Sequence, residues 1–204
     1  MSLDQLPFNA FDLLVGGILI AGLFRGRKQG MSEEFLGLVQ WLAIIVCCSL
    51  AYRPLGQFFS ESSRVFSLLN CYIIAYITLV LLFVGGFALL KRSIGGKLLG
   101  SDIFGVSEYY LGMCAGLVRF SCILVAGLAL LNARAYDANE VRAMENFQNK
   151  EFGSTYFPTL PAIQSSVFQK SMVGPWIHEN LGFLLIEPTK PEIKELHQKE
   201  YTFH

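Results

Sequence analysis

Charged residues are scarce in this chain: only 16% of its 204 residues are Asp, Glu, Lys or Arg, whereas a soluble domain carries about 25%. The formal net charge is zero, which argues against a nucleic-acid partner. Hydrophobic residues make up 53% of the sequence. A soluble core of this size could not enclose so many apolar side chains, so we expect membrane lipids to surround part of the chain.

Basic residues are absent before Phe8. A cleavable signal peptide begins with a basic segment, so we expect the first apolar block to be retained as a membrane span.

Residues typical of metal and catalytic sites are few. The three histidines, His178, His197 and His204, are widely spaced, and we expect no metal site. No hydrolase motif of the Gly-x-Ser-x-Gly or His-Glu-x-x-His type occurs, and there is no phosphate-binding glycine loop. We therefore predict that the protein is not an enzyme and binds no cofactor. The cysteines lie inside apolar blocks as small packing residues: Cys47, Cys48, Cys71, Cys114 and Cys122.

What the chain does contain is four long apolar blocks. A bilayer core of about 30 Å is crossed by a helix of about 20 residues. Lipid offers no partner for backbone polar groups, so a spanning segment must satisfy them as a helix. We therefore predict an all-α bundle of four transmembrane helices, the second ending before Pro54. The spans are residues 8–24, 35–52, 68–90 and 109–131.

The short connections between the blocks differ in charge. Arg25, Arg27 and Lys28 follow the first block, and Lys91, Arg92 and Lys97 follow the third, whereas the connection between the second and third blocks holds two basic residues. By the positive-inside rule, the two more basic connections are cytoplasmic and both termini are extracytoplasmic. Arg134 and Arg142, just past the fourth block, argue in the opposite direction.

Residues 132–204 form a more polar tail with five of the seven prolines. Apolar residues recur at helical spacing within it, which predicts short amphipathic helices on the membrane surface or against the bundle. A loosely ordered extracytoplasmic tail is the alternative. The recurring residues are Val141, Met144, Phe147, Ile163, Val167, Phe168, Trp176, Ile177, Leu181, Leu184 and Leu185.

Glycines four residues apart run from the end of the first block into the connection after it: Gly22, Gly26 and Gly30. Small residues at this spacing let two helices approach closely in lipid, and a glycine also suits a tight turn. The basic residues beside them could pair with Glu33 and Glu34 across the turn.

The fourth block carries a second glycine pair and a buried charge. Gly112 and Gly116 share one helical face, and Arg119 lies about 12 Å inside the span. An arginine at mid-membrane costs on the order of 2.5–3.5 kcal/mol, so it either faces a partner or snorkels towards the headgroups. The candidate counter-charges are Asp12, Glu34 and Glu108.

These segments resemble the colicin V production protein family, CvpA, over roughly Phe11 to Leu131. The resemblance lies in Asp12, in the glycine turn of Gly26 and Gly30 followed by Glu34, in Glu108, and in the run from Leu111 through Gly112 and Gly116 to Arg119. Two residues depart from the family pattern, Gln29 beside Gly30 and Phe120 after Arg119. The resemblance implies a bacterial inner-membrane protein linked to colicin V production and export and to envelope physiology.

Two functions are consistent with these features. The first is an accessory membrane protein that associates through its helices with itself or with a membrane-protein partner. The alternative is a small homo-oligomeric channel or transporter with Arg119 and Asp12 near the path. A lipid-modifying enzyme is a weaker third possibility, because the sequence shows no nucleophile with a matching base.

Overall fold

A computed structural model describes residues 9–62, 66–98, 105–152 and 158–190, and all regular elements in these ranges are helical. Three helices are long and apolar enough to cross a membrane: α1 (Ala10–Ser62), α2 (Leu68–Leu98) and α3 (Glu108–Asn132). Three shorter helices follow: α4 (Ala138–Phe152), α5 (Leu160–Ser165) and α6 (Val173–Leu181). The all-α prediction is confirmed for these ranges. The helix count differs from four because the first two predicted spans both lie in α1.

Helix α1 is interrupted at Gly30, whose backbone is non-helical at φ 74° and ψ 172°. A positive φ of this kind is accessible to glycine at little cost. Gly30 divides α1 into two parts, which we call the first arm (residues 10–29) and the second arm (residues 31–62).

The two arms of α1 run in opposite directions along α3. The first arm approaches successively earlier residues of α3: Gly22 lies against Gly116, and Gly26 lies against Gly112. The second arm returns along α3, since Glu34 contacts Arg119. The chain therefore reverses direction at Gly30, at the end of the bundle where α3 begins.

The second arm continues past Pro54 to Ser62, so the prediction that this helix ends before Pro54 is wrong. Proline removes one backbone hydrogen bond, but side-chain packing holds the helix on both sides of it. The rings of Tyr52 and Tyr72 meet edge-on, with centroids 5.6 Å apart. Gly56 lies directly against Tyr72.

Helix α2 packs most closely against the bundle through its first turns, and Leu79, Val80 and Phe83 farther along are partly buried against the same core. Tyr72 lies beside Gly56, and Ala75 and Tyr76 are buried close by. Only 11% of the most apolar stretch of α2 is buried, compared with 44% for α3. Its later turns therefore present an apolar surface to the surroundings, with exposed Ile77, Leu81, Leu82, Leu89 and Leu90.

Part of the tail packs against the end of the bundle where α3 finishes. Asn132 Nδ2 donates a hydrogen bond to the Ile186 carbonyl over 3.0 Å, and Gln164 Nε2 donates to the carbonyls of Leu131 and Arg134. Ile177 and Ile186 join the core cluster of the bundle. The segment from α5 to α6 thus lies against the bundle.

Helix α4 differs from the rest of the tail, because none of its described side chains is buried. Its position on a membrane surface stays a prediction. Residues 191–204, the last part of the predicted tail, lie outside the described ranges.

Candidate functional site

The first arm and α3 meet through glycines whose backbones are in direct contact. A Cβ atom added to Gly26 would overlap the carbonyl oxygen of Gly112. One added to Gly112 would lie 2.5 Å from the Gly26 oxygen and 2.8 Å from the Gly30 Cα. Gly116 and Gly22 meet in the same way. We call this contact the glycine interlock.

The glycine interlock explains the spacing seen in the sequence. The two glycine-rich faces, predicted to mediate helix packing, lie against each other within one chain. All five glycines of these faces are buried. Association with a second protein would therefore have to use another surface.

Glu34 and Arg119 form an ion pair inside the bundle, just beyond the Gly30 turn. Arg119 Nη1 donates to Glu34 Oε2 over 2.6 Å. The Glu34 side chain is 0% exposed and that of Arg119 is 22% exposed. A Cβ on Gly37 would lie 2.9 Å from Arg119 Nη1, so this glycine makes room for the guanidinium group. Of the three predicted counter-charges, Glu34 is the one that contacts Arg119.

A second cation, Arg25, approaches this pair from the surface. Its Nε lies 3.7 Å from Glu34 Oε1, and its side chain is 55% exposed. Glu34 Oε1 and Arg119 Nε are buried without a hydrogen-bond partner among the described residues. In a low-dielectric interior a charge is stable only when paired, so the contact between Glu34 and Arg119 holds the second arm and α3 in one register.

Glu108 acts at the Gly30 turn. Its Oε1 accepts a 2.6 Å hydrogen bond from the backbone N–H of Ser32, at the start of the second arm. The first backbone N–H groups of a helix have no partner within the helix, so this carboxylate caps the arm. Glu108 also packs against Gly30.

Asp12 lies at the opposite end of the bundle from Gly30 and holds the tail. Its carboxylate accepts hydrogen bonds from the backbone N–H groups of Met172 and Val173, over 3.2 and 3.3 Å. Asn9 donates from its side chain to the carbonyl and hydroxyl oxygens of Ser166. Asp12 is therefore a cap for α6 in this structure, and Arg119 has Glu34 as its counter-charge instead.

A further contact between the tail and the bundle involves Tyr52, Arg53 and Glu187. The Tyr52 hydroxyl accepts hydrogen bonds from the backbone N–H of Glu187 and from Arg53 Nε. Arg53 Nη2 also lies 3.0 Å from Glu187 Oε2. The sequence does not predict this contact, because nothing in the local pattern links residues so far apart.

We expect Asp12→Ala to loosen the tail, because it removes the acceptor for two N–H groups at the start of α6. Loss of a helix cap costs about 1 kcal/mol. Limited proteolysis of the purified protein should cut the segment between α5 and α6 faster in this variant. Glu179→Ala, which removes an exposed carboxylate from α6 itself, is the control and should behave like the wild type. Equal cleavage rates for both variants would contradict the capping role.

The described residues contain no group of three or more His, Cys, Asp and Glu side chains placed to hold a metal ion. His178 packs its ring edge-on against Phe168 at 5.8 Å. His197 and His204 lie outside the described residues.

A family model for the colicin V production protein matches residues 11–180. The chain belongs to the colicin V production protein family. No curated protein and no solved structure matches it. The match to the colicin V production family continues past α3 to α6, so it includes the part of the tail that Asp12 holds. Family membership and the three long apolar helices together indicate a membrane protein.

Proposed function

We propose that this member of the colicin V production family is a multi-pass protein of the bacterial inner membrane. It supports toxin production or export and envelope homeostasis by contacts between its helices and those of a membrane-protein partner or of a second copy. The observation that carries the proposal is the apolar surface of the later turns of α2, which stays exposed while the buried Glu34–Arg119 pair and the glycine interlock hold α1 and α3 together. These contacts make α1 and α3 a fixed scaffold.

The reversal at Gly30 supports four membrane crossings, with each arm of α1 counted as one. The first arm is about 30 Å long at 1.5 Å per residue, long enough to reach across the hydrocarbon core of a bilayer, and its basic last turn, with Arg25, Arg27 and Lys28, lies at the headgroup level. The second arm is longer than this. With α2 and α3 the chain then crosses the membrane four times, and both termini lie on one side.

The charge distribution supports a cytoplasmic position for the Gly30 end of the bundle. Arg25, Arg27 and Lys28 precede the turn on the first arm, and Lys91 and Arg92 lie near the end of α2. The tail and the beginning of α1 lie at the opposite end. By the positive-inside rule, we propose that the tail and both termini are extracytoplasmic.

The exposed later turns of α2 are the surface best suited to a partner. The glycine faces of α1 and α3 are occupied within the chain, whereas Leu81 and Leu89 of α2 are among the most exposed apolar side chains. Association in lipid depends on close side-chain packing, so a bulky substitution there should disturb a partner but not a lipid contact.

This proposal is tested in colicin V-producing cells from which the protein has been deleted, with secretion measured as the zone of killing around a colony. The wild type should restore secretion. Leu81→Trp and Leu89→Trp should reduce it at unchanged abundance in the membrane. Leu13→Trp, at an exposed position of the first arm, is the matched control and should secrete normally. Normal secretion by all three variants would refute association through α2, and failure of the wild type would refute the link to toxin export.

The channel alternative is favoured by one observation, the partial exposure of Arg119, whose side chain is 22% accessible. The described structure does not bring Asp12 and Arg119 together, so a path past both would have to run the length of the bundle in an oligomer. Conductance of the purified oligomer in planar bilayers, compared with Arg119→Ala, tests this alternative. An oligomer that carries no current in either form would rule it out.

A further inference from the structure

A groove opens between the first arm and α3, close to the Gly30 turn. Its walls combine apolar, aromatic and cationic side chains. The lining residues are Phe24, Arg27, Lys28, Tyr109, Tyr110 and Met113.

The two cations of this groove form no ion pair with a carboxylate of the described ranges. Both Arg27 and Lys28 are exposed. Their neighbour Arg25 instead faces Glu34. The positive charge at the groove is therefore available to an anion from outside the protein.

The lining changes from apolar to cationic along the groove. Phe24 ends the first apolar block and Met113 lies within the fourth, whereas Arg27 and Lys28 lie beyond the apolar residues. Tyrosines are favoured where hydrocarbon meets the headgroup layer, and both Tyr109 and Tyr110 are exposed at this level. A phospholipid has the same sequence of parts, from acyl chain through glycerol to phosphate.

We propose that this groove binds an anionic phospholipid, with the phosphate on Arg27 and Lys28 and an acyl chain along Phe24 and Met113. Basic pockets between transmembrane helices on the cytoplasmic side are suited to anionic headgroups. A zwitterionic lipid fits less well, because its own cation would face the two basic side chains. The inference rests on the proposed membrane orientation, in which this end of the bundle reaches the headgroups.

The test uses the full chain purified in a neutral detergent, with bound lipid counted by native mass spectrometry. Phosphatidylglycerol and phosphatidylcholine with identical acyl chains are the two probes. The wild type should prefer phosphatidylglycerol about tenfold or more, the effect expected of two cations near a headgroup. Arg27→Gln with Lys28→Gln should abolish most of this preference. Equal binding of both lipids by the wild type would overturn the proposal.

Two further variants test whether the lipid preference depends on charges in the groove or only on the total positive charge of the protein. Lys91→Gln with Arg92→Gln removes the same two charges from exposed positions of α2 and should keep the preference. Arg27→Lys with Lys28→Arg retains both charges and should keep it as well. A loss of preference in the α2 variant equal to that in the groove variant would show that charge alone, without the groove, attracts the lipid.

Inorganic phosphate distinguishes a lipid site from a site for a free anion. At millimolar concentration it should leave the bound phosphatidylglycerol in place, because it cannot occupy the apolar part of the groove. Full displacement would show a phosphate site and refute the commitment to lipid. None of these measurements depends on toxin export, so the lipid site and the proposed function can fail separately.

Discussion

Replacing Gly26 by alanine is expected to destabilise the protein, although only one methyl group is added. The new Cβ would overlap the backbone oxygen of Gly112, and a backbone atom cannot move aside as the end of a flexible side chain can. The first arm and α3 would have to separate. Overpacking of a tight contact typically costs 1–3 kcal/mol, and we expect a value of about this size.

Gly17→Ala is the matched control, because it adds the same methyl group to the same arm. No heavy atom lies within 4 Å of the Cβ that it would introduce. Alanine favours a helix over glycine by up to about 1 kcal/mol, so this variant should be neutral or slightly stabilised. Gly26→Ala should therefore lower the free energy of unfolding, whereas Gly17→Ala should leave it unchanged or raise it slightly.

Thermal unfolding of the purified variants in one mild detergent measures this difference. The unfolding midpoint should fall for Gly26→Ala and stay level or rise for Gly17→Ala. Gly116→Ala should repeat the fall, since its Cβ would overlap the Gly22 oxygen. If Gly26→Ala and Gly17→Ala unfolded at the same temperature, the glycine interlock would not be a feature of the folded protein.

The sequence alone predicts that the spaced glycines mediate helix packing, and it places Glu34 among the candidate counter-charges of Arg119. A spacing of four residues places side chains on one helical face, and an arginine within an apolar block requires a counter-charge. The same spacing serves equally for contact within a chain and between chains. Only the three-dimensional arrangement shows that Gly26 meets Gly112 in the same molecule.

The end of the bundle that binds the tail could not be predicted in this way. Asp12 and Met172 are separated by 160 positions in the chain, and no local periodicity links them. From the sequence alone, Asp12 at the start of a span is an isolated charge. Only the folded structure shows that α6 lies beside it. The prediction that the helix ends before Pro54 is wrong for a similar reason, because the helix beyond Pro54 is held by the packing of Gly56 on Tyr72, which belongs to a different element.

Arg119→Gln should have the largest effect of any single charge removal in the bundle. It leaves the carboxylate of Glu34, which is 0% exposed, without the cation that donates a 2.6 Å hydrogen bond to it. Removing one partner of a buried ion pair typically costs 3–5 kcal/mol. Arg25 cannot take over this role, since it lies 3.7 Å away with its side chain 55% exposed to the surroundings.

Arg25→Gln is therefore the control for Arg119→Gln, since it removes the same type of side chain from the same carboxylate. An exposed ion pair contributes up to about 1 kcal/mol, so its unfolding midpoint should change little. Equal destabilisation by the two variants would mean that Glu34 draws its stability from the surface charge rather than from the buried contact.

The double variant with Glu34→Gln and Arg119→Gln decides what the buried pair contributes. Removing both charges eliminates the unpaired carboxylate, and two amides can still exchange a hydrogen bond across the same contact. We expect the double variant to be clearly more stable than Arg119→Gln alone, because most of the single-variant loss arises from an isolated charge. If the loss of stability in the double variant equalled the sum of the losses in Glu34→Gln and Arg119→Gln, the two side chains would act independently. The pair could not then be what keeps the second arm in register with α3.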